Sequence, residues 1–279
     1  MLSEGNQLRA ERHSRYGAFQ PRLGILVIHN DPVPEVEMWA MASRAGATIH
    51  TARFQTPRPT GTEFVGVAVG ELLRATGLAS SISQLTDLGV DAMGYCFTSS
   101  SVFGGLEFDR EFAERAGELA GCPVVTAGAA LLAELEGTST DEMAILVPPW
   151  FSSSTIAALI RYIAPGMGCP PEIVQFELPS EWDDIERPDL FDRGARHAID
   201  PLEVIRQVLE SLSESRTTIV VPGSGFASAK AVDQLTTRFG RRVVTANSAL
   251  FDVLLHRAQE RDRPDLQRKP QAAATTSST

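Results

Sequence analysis

Cysteine is scarce in this chain: Cys96, Cys122 and Cys169 are the only three in 279 residues. Their number is odd, their spacing irregular, and no Cys-x-x-Cys pair occurs. Neither a disulfide framework nor a metal motif is therefore expected, and a reduced, cytoplasmic compartment is the default. Basic charge is also short, with 25 Lys and Arg against 35 Asp and Glu and a formal net charge of −10. That balance argues against nucleic acid as the main partner, because binding phosphates needs a basic face. No apolar run approaches the roughly 18 residues of a membrane span, and the polar N-terminus has no apolar signal-peptide core. The length suffices for one large domain or two of roughly 100–150 residues.

What is present is an alternation of short apolar strands with amphipathic helices. LGILVIHN (23–30) reads as a strand buried on both faces of a parallel sheet, followed by helical spacing over 35–45. ATIHTARF (47–54) is a second strand, and QTPRPTGTEF is a Pro/Gly-rich loop before a helix from Glu63 to about Thr76. A helix over 81–88 feeds a third strand at 92–97. A wet-sided amphipathic helix covers 106–120, and Pro123–Ala127 is a fourth strand running into a helix. Then the pattern restarts, with strands at 143–149, 172–179, 218–223 and 243–247. Helices are expected at 152–163, at 201–212 with Asp200 as N-cap, at 229–239 and at 248–259. A polar insertion, SEWDDIERPDLFDRGARH, interrupts the second half.

The restart is an internal repeat. VVTAGAALLAEL (124–135) lies over VVTANSALFDVL (243–254) with 7 of 12 positions identical at an offset of 119, and the same offset lays GILVIHND (24–31) over MAILVPPW (143–150). Asp31 and Trp150 are thus equivalent strand ends. The expected fold is α/β, with two pseudo-symmetric flavodoxin-like halves, each a four-stranded parallel sheet flanked by helices. Residues 1–21 read as a flexible N-terminal segment, 22–140 as the first half, 141–259 as the second and 260–279 as a disordered tail. Ligands of open parallel sheets bind at the carboxyl ends of the strands, so the site is expected in the cleft between the halves.

The third strand carries the richest of these ends. Ala92–Phe97 breaks into four hydroxyl residues, Thr98, Ser99, Ser100 and Ser101, and then Gly104 and Gly105. Hydroxyls and free backbone N–H groups suit a carboxylate or other oxyanion, and an ordinary Ser/Gly-rich turn is the bland alternative. Cys96 is expected in the core as a small hydrophobe, unless a one-residue bulge aims it into the cleft. Asp31 is either an N-cap or, if buried with a raised pKa, a general acid or base. Phe97 and Trp150 would give the cleft aromatic surface. His29 and His50 sit on strands as core or rim residues, and GSGFAS after Pro222 is too short for a phosphate loop.

The runs IHNDPVPEVE, TIHTAR (48–53), DAMGYCFTSSS (91–101), CPVVTAGA (122–129), ILVPPW (145–150) and VVPGSGFAS onward to Leu254 occur in this order. Together they make residues 22–257 resemble the aspartate/glutamate racemase superfamily, in its maleate cis–trans isomerase and arylmalonate decarboxylase branch. The resemblance implies no cofactor and no metal, a small mono- or dicarboxylate bound between the halves, and a carbanion or enolate-like intermediate. It also exposes departures. The family's two catalytic cysteines fall on Phe97 and Gly223, an active-site asparagine on Asp31 and a substrate-contacting tyrosine on Trp150. Thr98 and Ser99 match decarboxylase residues that hold an enediolate oxygen pair. Arg53, Glu35 and Glu37 match isomerase positions that look structural.

The resulting expectation is a cofactor-independent isomerase or lyase of decarboxylase type acting on a small (di)carboxylic acid. Asp31, Thr98, Ser99 and Cys96 are its candidate catalytic residues, and Phe97, Ser100, Trp150, Gly223, Ser224 and Gly225 its candidate substrate contacts. The alternatives are a hydratase or lyase using Asp31 as acid and base, and a catalytically silent carboxylate binder. Neither nucleic acid nor membrane is an expected partner, and self-association into a homo-oligomer stays open.

Overall fold

The computed structural model describes residues 20–262, apart from 57, 166–169 and 214. The expectations for the lead-in before residue 20, for Cys169 and for the tail after 262 lie outside them. Strands β1 (Arg22–Ile28), β2 (Thr48–Phe54), β3 (Ala92–Cys96) and β4 (Val124–Thr126) pair in parallel in the order β2-β1-β3-β4. Strands β5 (Met143–Val147), β6 (Glu172–Gln175), β7 (Thr218–Val221) and β8 (Arg242–Thr245) repeat this as β6-β5-β7-β8. The offset of 119 holds for the first and fourth strands. The third strands, Ala92–Cys96 and Thr218–Val221, begin 126 residues apart, so the connections rather than the strands absorb the divergence.

The first half adds helices α1 (Val33–Ala45), α2 (Val69–Ala75), α3 (Leu78–Asp87), α4 (Thr98–Ala120) and α5 (Ala127–Glu134). The second adds α6 (Ser153–Ile163), α7 (Arg187–Leu190), α8 (Pro201–Ser211), α9 (Ala229–Phe239) and α10 (Ala246–Asp262). Asp200 caps α8, its carboxylate accepting the Leu202 N–H at 2.9 Å. Two expected boundaries are corrected. The helix expected from Glu63 begins only at Val69, because the residues before it are drawn across to the second half. The hydroxyl run after β3 is no loop: Thr98–Ser101 form the first turn of α4. The break falls instead at Gly105, whose φ of 68° and ψ of −168° lie in a region open essentially to glycine.

Alternation along the strands places the core. Leu23, Ile25 and Val27 of β1 point between the two sheets, where they join Met143, Ile145 and Val147 of β5 and Leu250 and Leu254 of α10 in one buried cluster. Leu26 and Ile28 point outward to a second cluster with Tyr95, Phe108 and Phe112. A third, with Leu146, Ile219, Val221 and Phe226, backs the second sheet. The largest cluster belongs to both halves at once, so the strand ends that face one another are held by shared packing. No helix among the described residues is long and apolar enough to cross a membrane.

Candidate active site

The carboxyl ends of β1, β3, β5 and β7 open into one cleft of about 100 Å³ between the halves. Its first-half wall carries Ile28, Asp31, Phe97, Thr98 and Ser99; its second-half wall carries Trp150, Gly223, Ser224 and Gly225. The structure therefore gathers most of the site residues read from the sequence. Two are not gathered. Cys96 points the other way, wholly buried in the cluster between the sheets, with its backbone oxygen accepting the Ser224 hydroxyl at 3.1 Å. No bulge turns it round, and burial, with the Asp31 charge nearby, pushes its thiol far above the usual range. Ser100 is also turned inward, its hydroxyl 3.0 Å from the Tyr95 hydroxyl.

Asp31 is 1% exposed. One carboxyl oxygen, Oδ1, accepts the Val33 N–H at 3.0 Å, which satisfies an orphan donor at the start of α1. The other, Oδ2, faces Gly225 so closely that a Cβ there would lie 2.7 Å from it and 2.8 Å from the Phe191 ring. The N-cap is Pro32 rather than Asp31; from one residue further back Asp31 holds the first helical N–H and presents its other oxygen to the cleft. Burial pushes its pKa up to about 6, against the opposing pull of the Val33 N–H and the positive charges of Arg196 and Arg53.

Thr98 is 3% exposed and lines the cleft, and its hydroxyl has no hydrogen-bond partner among the described residues. An unpaired buried hydroxyl costs roughly 1–3 kcal/mol, and at Thr98 it leaves a donor free in a residue of the cleft wall. Ser99 stands beside it at the first turn of α4, where backbone N–H groups have no acceptor within the helix. The opposite wall is fixed from the first half: Glu37 of α1, 7% exposed, accepts the Ser228 and Ala229 N–H groups at 2.8 Å each and the Asn247 amide at 2.7 Å. Asn247 also donates to the Ser224 backbone oxygen at 2.9 Å. Burial pushes the Glu37 pKa up, and these donors hold it back.

Sequence reasoning missed the residues that roof the cleft. Residues 58–68, after β2, reach across to the second half, and the Glu63 carboxylate accepts the hydroxyls of Ser152, Ser154 and Thr155 at the start of α6. Burial opposes its charge, yet these hydroxyls hold its pKa below the usual carboxylate range. From the other side, the segment after β6 brings Phe191 edge-on to Trp150, with ring centroids 5.2 Å apart. The two roofs lock at Asp192, which accepts from Arg58 and Asn30 at 3.0 Å each and from the Gly61 N–H at 3.3 Å. Phe64 packs edge-on against Phe97 at 5.0 Å, so the floor and roof of the cleft are aromatic. The available signal is positional: both roofs directly follow the second strand of their half, one as a Pro/Gly-rich loop and the other as a polar insertion.

Among the described residues, no three His, Cys, Asp or Glu side chains converge as metal ligands. The cleft brings together a buried carboxyl with a pKa of about 6, an unpaired hydroxyl with a serine beside it, the ionised Glu63 carboxylate among its hydroxyl partners, Arg58, Ser224 and aromatic walls.

A scan against protein-family models finds no match, and a search of curated proteins finds none either. Solved structures do match. Unliganded arylmalonate decarboxylase superposes with a TM-score of 0.63 at 16% identity, over 86% of this chain and 93% of that one. The maleate isomerase of Pseudomonas putida S16 gives 0.65 at 19% identity, over 85% and 92%. A Nocardia farcinica maleate cis–trans isomerase mutant with a covalently bound succinylcysteine intermediate gives 0.65 at 18% identity, over 86% and 94%. These likenesses establish the two-sheet α/β fold of the decarboxylase and isomerase, the fold that the sequence resemblance implied.

Proposed function

We propose that this protein is a cofactor-independent enzyme that decarboxylates a small malonate-type acid through an enediolate, with a carboxylic acid in place of a thiol as proton donor. The observation that carries the reading is the unpaired Thr98 hydroxyl, buried in the same cleft as the raised-pKa carboxyl of Asp31. The bond between the α-carbon and one carboxylate breaks, CO2 leaves, and the electron pair passes into the remaining carboxyl to form the enediolate. Thr98 and Ser99 donate to its two oxygens, where preorganised donors act most strongly on developing charge. Protonated Asp31 delivers its proton to the α-carbon and is recharged from solvent. A carboxylic acid with a pKa near 6 is suited to this step, because donors work best when their pKa lies near the operating pH.

Isomerisation by thiol addition to a double bond has less support, because the two cysteines among the described residues, Cys96 and Cys122, are buried away from the cleft. The neighbouring structures named as a decarboxylase and as isomerases of maleate support small-acid chemistry in general. The test is a panel of malonate, methylmalonate, phenylmalonate and maleate incubated with the protein in D2O and followed by NMR. CO2 release with one solvent deuteron at the α-carbon of the product is the expected result. Saturable binding of these acids without turnover would instead make the cleft a carboxylate-sensing site.

A further inference from the structure

The turn that carries Thr98 and Ser99 does not inherit its direction from the long helix behind it. Gly105, with φ of 68°, separates Thr98–Gly104 from Leu106–Ala120, so the first segment is aimed by β3 before it and by its side-chain contacts. Besides the Ser100–Tyr95 hydroxyl contact, one tether runs back across the break. Ser101, wholly buried, donates its hydroxyl to Asp109 Oδ1 at 2.6 Å. Asp109 is itself 5% exposed and lies on the second segment. The same oxygen accepts the hydroxyl of Thr126, the N-cap of α5, at 2.6 Å, and Oδ2 accepts the Tyr162 hydroxyl from α6 of the second half at 2.6 Å. Burial and the Asp109 charge push the Tyr162 pKa upward, which keeps that hydroxyl a donor.

Three hydroxyl protons therefore converge on one buried carboxylate. Through Tyr162 it also reaches the helix whose first turn receives Glu63 from the roof. Hydrogen bonds to a charged acceptor are short and strong, and a carboxylate supplies lone pairs for all three donors where an amide would not.

Building on the oxyanion reading above, we propose that Asp109 is a positioning residue. Through Ser101, its carboxylate fixes the pitch of the Thr98–Gly104 turn so that the Thr98 and Ser99 donors meet the enediolate oxygens. Thr126 and Tyr162 share the same carboxylate, but neither lies on that turn. Their loss leaves the Ser101–Asp109 tether in place.

The test compares binding of two ligands by calorimetry at one mildly alkaline pH. The first is the nitronate of nitroethane, which is planar and carries its charge on two oxygens as an enediolate does; the second is propionate, a ground-state carboxylate of the same size. Wild-type protein should prefer the nitronate, and Thr98→Ala should lose that preference. Ser101→Ala and Asp109→Ala, each of which removes the tether, should each reduce the preference about tenfold, less than the roughly 10²–10³ lost when an oxyanion donor is removed outright. Thr126→Ala and Tyr162→Phe should lower the melting temperature by a comparable amount and leave the preference intact. A purely structural Asp109 would make the preference fall in step with melting temperature across all four variants, and that result overturns the proposal. So does a nitronate preference that Thr98→Ala abolishes and Ser101→Ala keeps. A wild-type protein without the preference, or one in which Thr98→Ala retains it, overturns the oxyanion reading itself and this inference with it.

Discussion

Replacing Asp31 by asparagine should abolish turnover and stabilise the protein at the same time. The loss follows from removing the proton that the cleft delivers, and general acids contribute about 10²–10⁴-fold. The gain follows from linkage. Burial raises the native pKa of Asp31 from 3.8 to about 6, so the native state binds this proton more tightly than the unfolded chain does. The contribution of Asp31 to stability is therefore fully present below about pH 4 and is lost as pH rises through about 6. Holding a charged carboxylate there at pH 8 costs roughly 3 kcal/mol, at 1.36 kcal/mol per pKa unit. An asparagine at this position has no charge to bury, and its amide oxygen can still accept the Val33 N–H. Asp31→Asn should accordingly melt higher than wild type at pH 8 and no higher at pH 3. Turnover in the wild type should fall as pH climbs past 6. An unchanged or lower melting point at pH 8, with activity intact, would leave Asp31 only its bond to the Val33 N–H.

Thr98→Ala is expected to lower turnover by about 10²–10³-fold, because one preorganised donor is lost from a cleft shielded by two roofs. Its effect on folding should run the other way or be absent. The Thr98 hydroxyl is buried without a partner, and removing such a group relieves a desolvation cost of roughly 1–3 kcal/mol at the expense of a methyl contact. The signature is thus a slow enzyme with an equal or higher melting temperature, measured by steady-state kinetics and calorimetry on the same preparation. A variant that turns over normally would remove Thr98 from the chemistry. A variant that is slow only because it is partly unfolded would show in the melting curve.

Much of this was legible in the residues. The strands are short apolar runs at regular intervals, the offset of 119 makes Asp31 and Trp150 equivalent strand ends, and the rule for parallel sheets puts the site at such ends. Alternation alone separated Tyr95 from Cys96, one packed behind the first sheet and the other between the two. The start of α4 was harder. Serine and threonine compete with the backbone for hydrogen bonds and so imitate a loop. Once the run is known to be helical, successive residues diverge by about 100°: Thr98 and Ser99 face the cleft, while Ser100 and Ser101 turn back to Tyr95 and Asp109. The roofs were illegible for a different reason. Glu63 and Asp192 act on partners 89 to 162 residues away, and no local period records which insertion will meet which.

The central claim is that the proton comes from a carboxylic acid and no thiol takes part. It is tested most directly by replacing Cys96, Cys122 and Cys169 together with alanine and following turnover of the best acid of the panel in D2O. Undiminished turnover per folded molecule, with one deuteron delivered to the α-carbon, is the predicted result. Loss of turnover in a variant that still folds and still binds the acid would contradict it and return the chemistry to a cysteine.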